Sequence, residues 1–252
     1  KISTENTASV SAKTLWSSVN EKGGVELVIH KGIPLQSGMG SSAASAVAGA
    51  VAANALLENP LSKKEILIYA LEGEKFASGG LHADNVAPSL FGGLVFCPQN
   101  SLPETSSIKM PDTLSSIVLH PELKVNTAES RLKLKKNYSL DVLLEQQSYL
   151  VGFVLGVIQN DIALIRENLK DICIEPQRAS DVPCFKKIQE IALNNGALGC
   201  SISGSGPSIF AICENNISSQ LEGLMRESCL NQGYDCQTWI SQSNSKGSAI
   251  ED

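Results

Sequence analysis

Residues Pro34–Ser45, PLQSGMGSSAAS, constrain this chain more than any other stretch. An apolar run, Val25–Ile29, precedes them and an alanine-rich run, Ala43–Leu57, follows, so the order reads strand, glycine loop, helix. Gly38 and Gly40 admit backbone conformations with φ > 0 and a close approach to a ligand. The first turn of the following helix offers unpaired N–H groups and the positive end of a dipole, and Ser41 and Ser42 add hydroxyls there. This is the layout of an anion site, and equally of a tight turn before a buried helix. It is not a Walker A loop, because no Lys follows the second glycine.

The alanine-rich run is apolar nearly all round, which predicts a deeply buried helix. With 252 residues, 42% of them hydrophobic and 18% charged, the chain can build one large or two medium globular domains. A net charge of −6 argues against nucleic acid as the main partner while leaving room for a small anionic ligand in a locally positive pocket. No uninterrupted apolar run reaches the ~18 residues of a membrane span. The opening residues KISTENTASV lack the basic region and apolar core of a signal peptide. Seven cysteines, odd in number and without a C-x-x-C, read as reduced thiols of a cytoplasmic protein, and three scattered histidines do not make a zinc site.

Along the chain, Asn6–Trp16 reads as a helix capped by Asn6 or Thr7, and Val25–Ile29 as a strand. Ser62-Lys-Lys-Glu65 is a capping box that starts another helix. Its inner stripe, Leu67, Ala70 and Leu71, continues onto Glu74 at i+3 and i+4. An acid on an inward face needs a partner, either a salt bridge or a metal ion. Ser78–Leu81 is a turn, and His82–Asn85 is a loop leading through Pro88 to a strand over Gly93–Phe96. Asp84 and Asn85 act there either as turn formers or, flanked by Val86, Ala87 and Phe91, as pocket residues. The polar loop Pro98–Pro111 places a boundary between domains 1–110 and 111–252. Beyond it the sequence predicts a strand at Ser116–His120 and helices at Leu140–Ile158 and Asp161–Leu169. A helix from Pro183 to near Gly196 comes next, then strand, Gly204-Ser-Gly206 turn and strand. Helix Ser218–Cys229, strand Cys236–Ile240 and a finishing strand in SKGSAIED complete an α+β order.

Three stretches carry a resemblance to the GHMP kinases. PLQSGMGSSAA resembles their ATP loop, P-x-x-x-G-L-G-S-S-A-A, with Met39 in place of Leu. LHADNVAPSLFGGL, Leu81–Leu94, is similar to the homoserine kinases within that superfamily. CSISGSGPSIFAI, Cys200–Ile212, resembles the C-terminal glycine motif, Ser203, Gly204, Ser205 and Gly206 forming its loop. The similarity runs from about Asn6 to the C-terminus. It implies a two-domain α+β fold, with an N-terminal ATP-binding domain like that of ribosomal protein S5 and a ferredoxin-like α/β sandwich behind it. The family's N-terminal hairpin, carrying its first motif, would precede Lys1.

The resemblance also assigns roles. ATP would lie on Asn6, Pro34, Ser37, Gly38, Met39, Gly40, Ser41 and Ser42, although Asn6 serves equally as a cap. Mg²⁺ would be held by Ser42 and Glu74, the latter eight residues before His82 as in homoserine kinases. Asp84 stands where the family places an acid beside the attacking hydroxyl, as base or as orienting group. His82, Asp84, Asn85, Arg131 and Arg178 would bind substrate. Val125–Arg131 resembles a T-x-x-A-R segment, although Lys-rich LKLKK replaces the Leu-Pro that usually follows, and a solvated basic loop is the other reading. Ile174–Arg178 resembles E-P-x-R. Two Arg forks suit a carboxylate, hence an amino acid rather than a sugar, unless they pair with acids such as Glu129 or Glu175. The implied activity is ATP-dependent phosphorylation of L-homoserine in threonine biosynthesis, by a cytoplasmic homodimer, or a plastid one if this is a plant protein with its transit peptide removed. Another small-molecule GHMP kinase and a catalytically silent GHMP-fold binding protein are the alternatives.

Overall fold

The computed structural model describes residues 6–19, 23–123 and 134–251. The chain forms two compact units, one comprising residues 1–35, 40–108 and 245–252 and the other residues 36–39 and 109–244.

The first unit is a helical cluster with a short two-stranded ladder. Helices α1 (Thr7–Ser18), α2 (Ser41–Ala55), α3 (Lys63–Ser78) and α4 (Ala83–Phe91) precede strand β1 (Leu94–Phe96), which pairs antiparallel with β2 (Ser106–Ile108). Asn6 caps α1, its side chain accepting from the Ser9 amide at 2.9 Å. Ser62 and Glu65 close the capping box of α3. Small residues let the first three helices cross closely: a Cβ on Gly49 of α2 would strike the Ala8 backbone, and one on Gly73 of α3 would strike Ser11 Oγ. The core joins Leu15 of α1, Val47 and Ala50 of α2, Leu67 and Ala70 of α3, and Val86 and Leu90 of α4. Burying the larger of these side chains stabilises the unit by roughly 1.5–3 kcal/mol apiece.

Three sequence expectations change here. Val25–Ile29 has no regular secondary structure and pairs with no strand among the described residues, and Val28 and Ile29 are exposed. Apolar composition favours a strand, yet a ladder needs a partner. His82–Asn85 is not a loop: His82 is the N-cap, and Asp84 and Asn85 lie in the first turn of α4. Ala83, Val86, Ala87 and Leu90 are all buried, a helical spacing that overrides Pro88, whose missing N–H removes one bond. The C-terminal SKGSAIED makes no strand, only an isolated bridge from Lys246 to Gly92, with the Ser248 amide bonded to the Ser89 carbonyl.

The second unit is built on a four-stranded antiparallel sheet, order β4-β5-β3-β6, from β3 (Leu114–Pro121), β4 (Gly199–Ile202), β5 (Ile209–Glu214) and β6 (Cys236–Gln242). Alternation along β3 buries Ile117 and Leu119. Helices α5 (Leu140–Gln159), α6 (Ile162–Asn168), α7 (Glu175–Arg178), α8 (Phe185–Asn194) and α9 (Ser218–Asn231) complete the unit. Phe185 and Ile188 of α8 and Leu221 and Met225 of α9 join Ile117, Leu119, Ile209 and Ala211 of the sheet in one core. Helix α5 is long and apolar enough, by length and composition, to cross a membrane. A search for unbroken apolar runs misses it, because Asp141, Glu145, Gln146 and Gln147 interrupt its first turns. All seven cysteines are free.

Candidate functional site

Two clusters hold the residues singled out from sequence, one in each unit. In the first unit the start of α2 is the centre. Gly40 is its N-cap at φ 68, and no side chain caps the helix there. The first-turn amides therefore have no side-chain cap at Gly40 among the described residues, with the helix dipole behind them. Ser41 does not present its hydroxyl: it is buried, and its Oγ donates to the Ile33 carbonyl at 2.9 Å, tying the helix to the segment that enters it next to Pro34. Ser42 does present its hydroxyl, which donates to Glu74 Oε1 at 3.1 Å. Glu74 is 7% exposed and comes from α3, carried next to Ser42 by the close helix crossings. A buried carboxylate against a hydroxyl at an uncapped helix N-terminus is a donor set for a hard cation. Among the described residues there is no cluster of three or more His, Cys, Asp or Glu able to hold a metal. The Ser42–Glu74 pair suits an ion that keeps several waters and takes one or two protein ligands.

The first turn of α4 lies in the same unit. Asn85 packs on the loop backbone: a Cβ added at Gly40 would sit 2.9 Å from Asn85 Oδ1. Asp84 and Asn85 are both exposed, side by side. Asp84 makes itself felt at Cys97, whose thiol is pushed up first by burial and then by the Asp84 charge. His82 turns its ring toward Gly80.

Two residues that sequence reasoning did not select brace this cluster. Lys31 Nζ donates to the Ser41 carbonyl at 2.9 Å and to Ser45 Oγ at 2.6 Å, and partial burial lowers its pKa. Thr7 Oγ1 donates to the Ser42 carbonyl at 3.2 Å. The only sequence signal for Lys31 is a cation three positions before Pro34, and for Thr7 there is none. Asn6 spends its side-chain oxygen on the α1 cap.

The second unit contains the other half of the glycine loop, Gln36–Met39, and the C-terminal glycine motif. Ser37 is buried, its carbonyl accepting from the Ser208 amide at 3.1 Å, and its Oγ accepts from the Met39 amide at 3.3 Å. Ser203 Oγ donates to the Gly38 carbonyl at 3.0 Å. Ser208 Oγ lies 3.0 Å from His120 Nδ1, and burial lowers the His120 pKa. Ser203, Gly204 and Gly206 thus lie against Gly38. Arg178 reaches the same motif, Nη1 donating to the Gly204 carbonyl. Glu175 instead meets Gln189 and Lys186. Arg131 lies outside the described residues, as do Thr127 and Glu129.

Gly38 has φ +79, and a Cβ there would run into the Ser203 carbonyl and come within 2.9 Å of the Gly206 backbone. Both obstacles are backbone and cannot swing away. Gly38→Ala is expected to destabilise the protein by about 2–4 kcal/mol, combining left-handed strain with a steric shift, and to depress activity in whatever folds. Thermal melts beside Gly223→Ala, where a Cβ meets nothing within 4 Å, check it. Equal melting temperatures would show that the loop yields.

Comparison with known proteins fits this geometry. The GHMP kinases N terminal domain family matches residues 6–93, and the GHMP kinases C terminal family matches residues 153–230. A homoserine kinase of Xylella fastidiosa is 38% identical over 246 residues, 97% of this chain and 76% of the relative. One from Chlorobium phaeobacteroides is 38% identical over 235 residues, 92% of this chain and 73% of the relative. The crystal structure of homoserine kinase from Cytophaga hutchinsonii superposes with a TM-score of 0.92 at 38% identity, covering 96% of this chain and 78% of that one. The two-domain α+β fold is therefore shared along nearly the whole length, and the chain belongs to the homoserine kinase family of the GHMP kinases.

Proposed function

We propose that this chain transfers the γ-phosphoryl group of ATP to the side-chain hydroxyl of L-homoserine, giving O-phospho-L-homoserine for threonine biosynthesis. The observation that carries the reading is the buried Glu74 carboxylate paired with Ser42 at the uncapped start of α2, in a chain 38% identical to homoserine kinases. A coupled ATP assay against homoserine, mevalonate, galactose and shikimate tests it. Turnover with homoserine well above the others is expected, and preference for another acceptor, or none, overturns it.

The residues divide the work of a phosphoryl transfer, which asks for positioning and charge stabilisation more than covalent chemistry. The amides at Gly40–Ser42 and the Gly38 turn cradle phosphate oxygens, with Pro34, Ser37 and Met39 shaping the loop and Asn6 beside the nucleotide. Ser42 and Glu74 would hold Mg²⁺, their oxygens being the hard donors it prefers, and the bound ion would supply neutralisation of phosphate charge. Asp84 takes or orients the proton of the attacking hydroxyl, and Asn85 and His82 hydrogen-bond the substrate. Seven free thiols fit a reducing compartment such as the cytoplasm, and the assembly is a homodimer.

Arg131 and Arg178 clamp the substrate carboxylate, and Arg178 steadies the Gly204 turn as well. Losing one fork from a closed pocket costs about 2–3 kcal/mol, a fall of roughly 30- to 150-fold in kcat/KM. Arg178→Lys is expected to be nearly as poor as Arg178→Ala, because an ammonium lacks the planar fork. The loss should shrink markedly with the alcohol or amide analogue of homoserine. Equal losses for the acid and the neutral analogue would reduce Arg178 to a support of the glycine motif.

A further inference from the structure

Ser208 spends each of its polar groups on the glycine motif or on one histidine. Its amide donates to the Ser37 carbonyl at 3.1 Å, and its carbonyl accepts from the Ser203 amide at 2.8 Å, closing the turn between β4 and β5. Ser203 in turn donates its hydroxyl to the Gly38 carbonyl at 3.0 Å. Ser208 is fully buried, and its hydroxyl meets His120 Nδ1 at 3.0 Å and no other partner among the described residues. Register explains the pairing. Leu119 and Ile209 are the last residues matched between β3 and β5, so His120 and Ser208 stand opposite each other one step further on. Alternation along β3 buries Leu119 and Pro121 on the core face and turns His120 to the other.

Hydrogen-bond balance selects one arrangement of this pair. Were Nδ1 to donate, the Ser208 proton would be buried without an acceptor. With the ring proton on Nε2, Ser208 donates into Nδ1 and the hydroxyl is satisfied. Burial lowers the His120 pKa, and the Glu122 charge opposes it less, which keeps the ring neutral and able to accept. We propose that His120 is a positioning residue for nucleotide binding, its imidazole anchoring Ser208 and, through Ser208, the Ser37–Gly38 turn on which phosphate oxygens rest. The inference rests on the kinase reading above and adds to it a residue outside the sets assigned to ATP, metal and homoserine. Without the ring, the buried hydroxyl has to move to find an acceptor or admit water, and Ser208 no longer holds the Ser37 carbonyl in place.

Calorimetric titration of the whole chain with a non-hydrolysable ATP analogue, beside steady-state kinetics and thermal melts, reads the outcome. His120→Ala is expected to raise the Kd of the analogue and the KM for ATP by about 5- to 20-fold, with the KM for homoserine within about twofold of wild type. His120→Asn should recover most of the loss, because its Oδ1 can stand where Nδ1 stood and accept from Ser208. Ser208→Ala should weaken the analogue by the same factor as His120→Ala, and adding His120→Ala to it should cost nothing further. This second variant carries the test if His120→Ala fails to fold. Analogue binding unchanged in Ser208→Ala or in folded His120→Ala overturns the proposal, whatever happens to the melting temperature. So does His120→Asn as weak as His120→Ala, or losses that add in the double variant. Weaker analogue binding in the variants supports the proposal even in a chain that turned over no homoserine, so the two readings fail separately.

Discussion

Glu74→Gln is expected to lower kcat with Mg·ATP by about 100- to 1,000-fold while leaving the melting temperature within a few degrees of wild type. The carboxylate is buried at the end of the inner stripe of α3 and accepts a hydrogen bond from Ser42 at 3.1 Å. Glutamine preserves its volume and keeps an oxygen that accepts from Ser42, so packing changes little. It removes the negative charge, which is what a divalent ion at this position requires. Excess Mg²⁺, or Mn²⁺ with its greater affinity for such donors, should restore part of the rate. A structural ion pair would give the reverse pattern. Breaking one leaves an uncompensated buried charge, destabilising by about 3–5 kcal/mol, with kinetics unchanged in the folded fraction. Titrating the metal against rate, next to a thermal melt, separates the two.

Local chemistry made the helical parts of this protein legible. The Ser62–Glu65 box, the Asn6 cap and the alanine-rich α2 each follow from residues within one or two turns, and the structure places them where the sequence does. The inward position of Glu74 was legible for the same reason, since a helix stripe is a local pattern. What was not legible depends on partners distant in sequence. Val25–Ile29 has strand composition, but its ladder would need another segment. The turn residues of His82-Ala-Asp-Asn hid a helix whose evidence was the burial period of Ala83, Val86, Ala87 and Leu90. Lys31 and Thr7 act through backbone carbonyls of another element, and such contacts leave no trace in spacing. The division of the glycine loop was also invisible. Ser37 and Gly38 bond to Ser203 and Ser208, more than 160 positions away, while Gly40 meets Asn85.

Placing Asp84 on the first turn of α4 rather than in a loop sharpens what its loss should do. A helix fixes the Asp84 side chain relative to its neighbour Asn85, which packs on Gly40. In the proposed reaction this carboxylate receives or orients the proton of the acceptor hydroxyl, and general-base assistance contributes about 10²–10⁴-fold. Asp84→Asn is expected to lower kcat by at least about 100-fold with little change in the KM for ATP. A loss below about tenfold would confine Asp84 to orienting the hydroxyl, because the amide can still accept a hydrogen bond. A second readout is independent of catalysis. The Asp84 charge helps hold the Cys97 thiol above its usual range, after burial as the larger cause. Removing that charge leaves the burial contribution in place and lowers the Cys97 pKa toward its ordinary value, so more thiolate forms at a given pH. Cys97 should therefore react faster with a thiol reagent in Asp84→Asn than in wild type, read by mass spectrometry of its peptide, while buried Cys200 stays inert. A loss of kcat with faster Cys97 labelling and a silent Cys200 would mark removal of a functional charge from an intact site. Faster labelling of Cys200 as well would trace the loss to unfolding, and unchanged labelling of Cys97 would show that the Asp84 carboxylate does not face the β1 end of this cluster.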